Sequence, residues 1–294
     1  MAGRFGAVQT AMVTPFKDDF SLDLKRAQEV ATWLLDHGSD SLVVAGTTGE
    51  GATLSDQEKV DLWKATIEAA KGKGKIVAGT GTNDTAHSIH LTKEAERVGA
   101  DAALVVAPYY NKPPQSGLYE HFKAVAASTS LPVILYNVPS RTSVQISNET
   151  ILRLAEIDNV IGVKDATVDL NLASELVAAA PGGFELISGD DAATFAMVCL
   201  GGTGVISVSS HVVGEQMAEM ISLAERGDVD GGRKIHNQLL PIYRALFLTT
   251  SPIPVKAAMG LIGQPVGPPR LPLVPATEDE IAAVEKALED AGAR

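Results

Sequence analysis

Two hydrophobic patterns alternate along the chain. Consecutive β-branched and apolar residues, as at 104–106 and 133–135, recur between stretches with helical spacing of their apolar positions. Such continuous runs are typical of strands that are buried on both faces of a parallel sheet. The pattern predicts eight strands, at residues 7–13, 41–45, 75–79, 102–107, 133–136, 160–163, 185–188 and 204–208.

The segments between the strands predict helices. Residues 22–37 and 56–71 are amphipathic, and they end near Gly38 and Gly72, where a helix C-cap favours a residue that tolerates positive φ. Strand follows helix about every 25 to 35 residues, which is the βαβ spacing. An α/β fold, a (β/α)₈ TIM barrel, is therefore predicted, with a doubly wound open sheet as the alternative.

The pattern changes after residue 208. Residues 217–226 and 231–248 predict helices, the segment 251–275 carries seven prolines and is expected to lack regular structure, and a last helix is predicted at 278–291. The 294 residues would allow two domains or one barrel with a remainder. The strand count favours a catalytic barrel at 1–212 and a C-terminal helical domain at 213–294.

Composition narrows the functional classes. The net charge of −12, from 24 basic and 36 acidic residues, argues against a nucleic-acid-binding surface. The long uncharged stretch 192–214 contains glycine, serine and histidine residues and is a poor membrane span. Residues 1–14 lack the long apolar region of a signal peptide, and the single Cys199, expected in the core, excludes an intramolecular disulfide. A cytoplasmic protein is the simplest expectation.

Candidate catalytic residues follow the predicted strands, because TIM barrels hold their active sites at the carboxyl ends of the strands. Lys164 follows the apolar run 160–163, where partial desolvation favours the neutral amine that attacks carbonyls. The alternative is a lysine that leaves the core for solvent or pairs with Asp165. Tyr136 ends the preceding strand and suits proton transfer, although its position alone favours a core tyrosine whose hydroxyl reaches the rim.

Two further groups suit carboxylate binding. Thr47 and Thr48 stand between glycines in a turn whose N–H groups and hydroxyls can face an anion, or which simply joins a strand to a helix. Arg141 could bind a carboxylate in bidentate fashion or form a surface ion pair. The six histidines show no metal-ligand spacing, so no metal is predicted. Together these residues indicate Schiff-base chemistry, in which an imine of a keto acid forms an enamine that attacks an aldehyde.

Several motifs in order resemble the dihydrodipicolinate synthase family of pyruvate-dependent class I aldolases. They are GTTGE at 46–50, PYYNKP at 108–113, LYNVPSRT at 135–142 and GVKDA at 162–166, with SPIPVK at 251–256 and RLPL at 270–273. The resemblance implies condensation of pyruvate with L-aspartate 4-semialdehyde in lysine biosynthesis, without an organic cofactor, in a homotetramer built as a dimer of dimers.

The same resemblance implies individual roles. Lys164 would form the Schiff base, and Tyr136, Thr47 and Tyr110 would form a proton relay in which the tyrosine matching Tyr110 comes from a partner subunit. The remaining substrate contacts would be made by Thr48 to the pyruvate carboxylate, by Arg141 to the semialdehyde carboxylate, and by Gly189 and Ile206 through their carbonyl groups.

Two alternatives and one departure from the family accompany the resemblance. N-acetylneuraminate lyases and 2-keto-3-deoxygluconate aldolases share the lysine and tyrosine but typically lack the Pro-Ser-Arg-Thr run, and a non-catalytic metabolite-binding paralogue would not need the intact relay. Lysine-inhibited members bind lysine at a dimer interface, whose matching positions here are Asp56, Lys59, Asn83, His87 and Tyr109. The cationic Lys59 and the absence of an acid at His87 predict weak or absent inhibition by lysine.

Overall fold

A computed structural model describes residues 2–294 and contains a closed barrel of eight parallel strands. The strands pair in chain order, and β8 closes on β1. They are β1 (Val8–Ala11), β2 (Ser41–Val44), β3 (Lys75–Gly79), β4 (Ala102–Val106), β5 (Val133–Asn137), β6 (Val160–Asp165), β7 (Glu185–Ser188) and β8 (Gly204–Ser207). The predicted TIM barrel is confirmed, and each predicted strand is present.

Twelve helices accompany the strands within residues 2–294. They are α1 (Leu24–Asp36), α2 (Asp56–Ala70), α3 (Thr85–Val98), α4 (Gln115–Ala126), α5 (Pro139–Thr142), α6 (Asn148–Leu154), α7 (Leu170–Ala179), α8 (Thr194–Cys199), α9 (Ser210–Glu225), α10 (Val229–Ala245), α11 (Ile253–Leu261) and α12 (Glu278–Asp290). Local sequence fixes several of their starts. Ser55 and Glu58 form a reciprocal capping box at α2, and Thr277 and Glu280 form another at α12.

The strands alternate between the barrel interior and the helical layer. On β2, Val43 faces the interior, whereas Leu42 and Val44 pack outward against helices. Every strand contributes to the interior cluster, with Ala11, Val43, Val77, Leu104, Ile134, Ile161, Ile187 and Ile206 among its members. This packed interior explains why the strands are apolar at successive positions.

Two predictions for the C-terminal part are wrong. The proline-rich segment 251–275 contains helix α11, because Pro254 lies in its first turn, where the missing N–H has no helical partner to lose. Helix α9 begins at Ser210 rather than at 217. Its start is held by Asp191 from the β7 loop, whose Oδ2 accepts the N–H of Ser209 at 2.8 Å. The division into domains at residue 212, which falls within α9, remains a prediction.

Candidate active site

A cavity of about 470 Å³ opens at the carboxyl ends of the strands. Three of the predicted catalytic and binding residues line it: Thr47 after β2, Tyr136 at the end of β5, and Arg141 on the short helix α5. Residues 250–251 and 272–273 from the C-terminal part complete its wall. The C-terminal segment therefore belongs to the same site as the barrel loops.

Lys164 lies next to Tyr136 across the β5–β6 pair. The two residues are directly opposite in the strand register, and the Nζ atom of Lys164 lies 4.3 Å from the centre of the Tyr136 ring. Both residues are 6% exposed. The amine does not line the cavity itself but sits against the Tyr136 ring, which does. An amine and a phenol are thus placed side by side at the base of the cavity.

A β-bulge in β6 determines which way Lys164 faces. Val160 pairs with Val133, but Gly162 pairs with Ile134, so Ile161 is an extra residue. Strict alternation from the outward-facing Val160 would turn Lys164 toward the helices. The extra residue restores the inward direction, a known use of bulges beside active sites. Gly162 is required there because a Cβ atom would lie 2.5 Å from the carbonyl oxygen of Glu185.

The alternative pairing of Lys164 with Asp165 does not occur. The Asp165 carboxylate instead accepts hydrogen bonds from Thr167 at 2.7 Å and Asn137 at 3.4 Å, and burial raises its pKa. The Asn137 side chain also exchanges two hydrogen bonds with the backbone of Ile146. Because residues 138–146 carry Arg141, Asn137 ties that loop to the end of β5.

Gly189 and Ile206, two predicted substrate-binding residues, lie outside the cavity wall. Gly189 lies directly beside the active-site amine, since a Cβ atom placed there would be 3.1 Å from Cε of Lys164. Ile206 on β8 is 1% exposed and belongs to the interior cluster that includes Tyr136. Neither residue lines the cavity described above.

The threonine turn, defined here as residues 46–50, presents its two hydroxyl residues differently. Thr47 is exposed and lines the cavity, whereas Thr48 is buried at 5% exposure. The turn is closed by hydrogen bonds from Glu50 N to the Thr47 carbonyl at 3.0 Å and from Gly51 N to the Gly46 carbonyl at 3.0 Å. Thr47 is therefore open to the cavity, whereas Thr48 is largely covered in the free chain.

Arg141 and Tyr110 project outward. Arg141 is exposed and lines the cavity, with no ion pair to it among those found in residues 2–294. Tyr110 is 89% exposed, has a left-handed backbone with φ of 72°, and does not line the cavity. The single chain thus brings Lys164, Tyr136 and Thr47 to one end of the barrel, but leaves Tyr110 exposed at the surface.

Four of the five residues matching the effector site line the same cavity: Lys59, Asn83, His87 and Tyr109. The fifth, Asp56, lies 2.9 Å from Nε2 of His87, so an acid is present nearby although position 87 itself carries none. Lys59 is 7% exposed, and burial lowers its pKa while Asp56 opposes that effect. A cationic side chain thus stands in the cavity wall.

Three residues that support the site were not predicted from the sequence. Glu50 at the end of the threonine turn forms a polar cluster with the buried Lys256 and the partly buried Arg270. The sequence feature that could have indicated Lys256 is a single charged residue in the apolar segment 251–259.

The prediction that Cys199 lies in the core is wrong. Cys199 is exposed at the end of α8, because the helix ends there and its last residues face outward.

Within residues 2–294, no group of three or more histidine, cysteine, aspartate or glutamate side chains is arranged to hold a metal ion. None of the helices described there is both long and apolar enough to span a bilayer.

Known proteins are similar to this chain in sequence and in fold. The model of the Dihydrodipicolinate synthetase family matches residues 4–291. A 4-hydroxy-tetrahydrodipicolinate synthase from Moorella thermoacetica is 50% identical over 289 residues, covering 98% of this chain and 99% of the relative. A dihydrodipicolinate synthase structure from Bacillus anthracis superposes with a TM-score of 0.95 at 44% identity, covering 98% of each chain. A lysine-bound structure from Cyanidioschyzon merolae gives 0.98 at 41%, covering 99% and 100%.

Proposed function

The chain belongs to the dihydrodipicolinate synthetase family, and from that premise we propose how its site performs the 4-hydroxy-tetrahydrodipicolinate synthase reaction. The chain is a lyase that condenses pyruvate with L-aspartate 4-semialdehyde in the diaminopimelate and lysine pathway. The identities of about 50% to relatives named for this synthase favour it over the neuraminate lyase and deoxygluconate aldolase alternatives.

The first step is formation of an imine on Lys164. The neutral amine attacks the keto carbon of pyruvate, and the resulting carbinolamine loses one water molecule. Tyr136 is suited to carry the protons of this step because its ring contacts the Lys164 amine. The imine then withdraws electrons from the neighbouring methyl carbon, which loses a proton and leaves an enamine.

The second step forms the carbon–carbon bond. The enamine carbon attacks the aldehyde carbon of the semialdehyde, whose oxygen takes up a proton and becomes a hydroxyl group. The amino group of the semialdehyde then attacks the imine carbon, which closes the ring and releases Lys164 as the free amine. Thr47, which lines the cavity with Tyr136, is the second hydroxyl of the proposed proton relay.

The two substrate carboxylates need positive or N–H-rich partners within a chain of net charge −12. We assign the pyruvate carboxylate to the threonine turn and Thr48, with Gly189 and Ile206 bordering the bound keto acid. The semialdehyde carboxylate is assigned to Arg141, because its exposed guanidinium lines the cavity and can form bidentate hydrogen bonds.

Tyr110 completes the proposed relay from a second copy of the chain. A tyrosine that is 89% exposed on a left-handed backbone is poorly placed for its own site but can reach a neighbour. We therefore propose a cytoplasmic homotetramer, built as a dimer of dimers, whose tight pairs exchange this residue. Loss of specific activity on dilution into monomers would support this assembly, and full activity of a monomer would contradict it.

The observation that carries the mechanism is the contact between the Lys164 amine and the Tyr136 ring at the base of the cavity. The test is borohydride reduction in the presence of pyruvate, followed by peptide mass spectrometry. We expect one reduced pyruvyl adduct, on Lys164, and none in Lys164→Ala. An unmodified Lys164, or an adduct on another lysine, would overturn the mechanism. A separate assay of the unreduced enzyme tests the substrate: we expect condensation of pyruvate with the semialdehyde and no cleavage of neuraminate or ketodeoxygluconate.

A further inference from the structure

A buried ion pair lies directly behind the threonine turn. The last residue of the turn, Glu50, places Oε1 2.6 Å from Nζ of Lys256 on α11, and the two side chains are 1% and 3% exposed. The other carboxylate oxygen, Oε2, accepts the backbone N–H of Arg270 at 2.8 Å. Both oxygens of Glu50 are therefore engaged by the C-terminal part of the chain.

The C-terminal partners are themselves held in place. Lys256 Nζ also donates to the carbonyl of Pro268 at 3.1 Å, and the side chains of Lys256 and Arg270 both pack on the Phe16 ring. The Arg270 guanidinium pairs with Glu58 at the start of α2 at 2.5 Å. These contacts fix Lys256 and Arg270 relative to the barrel, so they provide a rigid anchor for Glu50.

Stability alone is a poor explanation for this arrangement. A buried ion pair loses hydration on both sides, and apolar residues of similar volume are often equally or more stabilising. Glu50 also has a left-handed backbone with φ of 53°, a conformation that is unfavourable for a residue with a Cβ. The chain thus accepts both a buried charge and a strained backbone at the position where the turn ends.

The turn has little freedom elsewhere. A Cβ atom at Gly49 would lie 3.0 Å from the carbonyl oxygen of Met12, and one at Gly51 would lie 2.3 Å from that of Ala45. The Gly49 carbonyl accepts a hydrogen bond from Thr14 at 2.6 Å. The glycine positions of the turn are therefore tightly packed, and we infer that Glu50 fixes the end of the turn that carries both threonines.

We propose that Glu50 is a positioning residue for catalysis, which acts through the threonine turn and is anchored by Lys256 and Arg270 of the C-terminal segment. This inference rests on the proposed function, because it assigns Thr47 to proton transfer and Thr48 to the pyruvate carboxylate. It gives the C-terminal helical part a direct role in the geometry of the barrel's active site. Glu50 is one of the residues around the cavity, but its carboxylate faces Lys256 and Arg270, so it acts through the turn and not on a substrate.

The main test is Glu50→Gln, which keeps the shape and one acceptor but places an amide donor opposite one of two donors, Lys256 Nζ or the Arg270 N–H. We expect the KM for pyruvate to rise and kcat to fall, each about tenfold, because misplacement of a catalytic group by 1 Å costs up to roughly 100-fold. The pyruvyl adduct on Lys164 should still form at saturating pyruvate, because Lys164 is positioned by β6 and not by the turn. Glu50→Asp, which retains the charge on a shorter side chain, should show a smaller loss.

Glu185→Gln is the matched control. Like Glu50, Glu185 is a buried glutamate that accepts the backbone N–H of an arginine and lies near a basic side chain, in this case both from Arg4. It lies at the start of β7, at the opposite end of the barrel. It should lower the melting temperature without changing kcat or KM, when all variants are assayed well below their melting temperatures. Wild-type kcat and KM in Glu50→Gln would overturn the positioning role.

The outcomes separate this inference from the function on which it rests. A wild-type protein that forms no pyruvyl adduct refutes the proposed function. An adduct in the wild type together with unchanged kinetics in Glu50→Gln refutes only the role of Glu50. If Glu50→Gln does not fold, Glu50→Asp decides, because its shorter carboxylate cannot reach both partners. Wild-type kinetics in that variant would overturn the inference, and a raised KM with a lowered kcat would support it.

Discussion

Replacing Gly189 with alanine should disturb the active-site amine without removing a functional group. The added Cβ would lie 2.8 Å from Cβ of Ala166 and 3.1 Å from Cε of Lys164. Carbon atoms pack at about 3.5 Å or more, so the methyl group intrudes by roughly 0.4 to 0.7 Å. The backbone of Gly189 is outside the left-handed region, so steric overlap is the only cause. Overpacking of this kind costs about 1–3 kcal/mol of unfolding free energy.

The kinetic effect follows from which atoms can move. Ala166 is fixed to the backbone after β6, whereas the end of the Lys164 side chain is flexible and should yield. Since misplacement by 1 Å costs up to roughly 100-fold, a shift of about 0.4 Å should slow imine formation by about tenfold.

The assay is the rate of borohydride trapping at limiting pyruvate, measured with kcat and the melting temperature. Gly182→Ala is the matched control, because a Cβ at that glycine meets no atom within 4 Å and its φ is also outside the left-handed region. We expect the control to match the wild type in all three measurements. A trapping rate in Gly189→Ala within twofold of the control would refute the argument that Gly189 leaves room for the amine.

Three further predictions concern the carboxylate contact, the effector region and acid stability. Arg141→Ala should lower kcat/KM for the semialdehyde about 10- to 100-fold, since hydrogen bonds to charged groups contribute about 1.5–3 kcal/mol; pyruvate trapping should be unchanged, and normal semialdehyde kinetics would contradict the assignment. Lysine should inhibit weakly because Lys59 repels its ammonium groups, a prediction that half-inhibition at sub-millimolar lysine in a steady-state assay would exclude. Burial lowers the pKa of His211 to about 4 from 6.5, so the folded state favours the neutral ring, and about 3 kcal/mol of stability should be lost as the pH falls from 6.5 through 4. The melting temperatures of the wild type and His211→Gln should therefore converge between pH 7 and pH 4, and a constant difference would be inconsistent with this titration.

The barrel was predictable because its strands are buried on both faces, so that successive positions along each strand are apolar. Strands β3 and β7 have the predicted bounds. Helix α9 was predicted to start late because the carboxylate that holds its N-cap residue Ser209 belongs to Asp191, in a loop 18 residues earlier in the chain. Helix α11 was missed because prolines that break a helix interior are tolerated at its first turn.

The site was predictable only where its residues are adjacent to strands. Lys164, Tyr136 and Arg141 follow or end predicted strands, and the structure brings them to one end of the barrel. The contact between Glu50 and Lys256 could not be predicted, because it joins residues 206 positions apart through folding of the C-terminal segment. The inward direction of Lys164 depends on a bulge, which the residue pattern of β6 does not encode.

That bulge also gives β6 an unequal tolerance to insertions and deletions. The strand contains one residue more than its pairing with β5 requires, namely Ile161. Loss of a single codon between those for Val160 and Lys164 can be absorbed by straightening the strand, with the lysine still opposite Tyr136, although the interior then loses part of its packing. An inserted residue in the same interval cannot be accommodated by straightening the strand, and it would turn the Lys164 side chain from the barrel interior toward the helices. We therefore expect variants with one residue deleted from this interval to keep reduced activity, and variants with one residue inserted to be inactive.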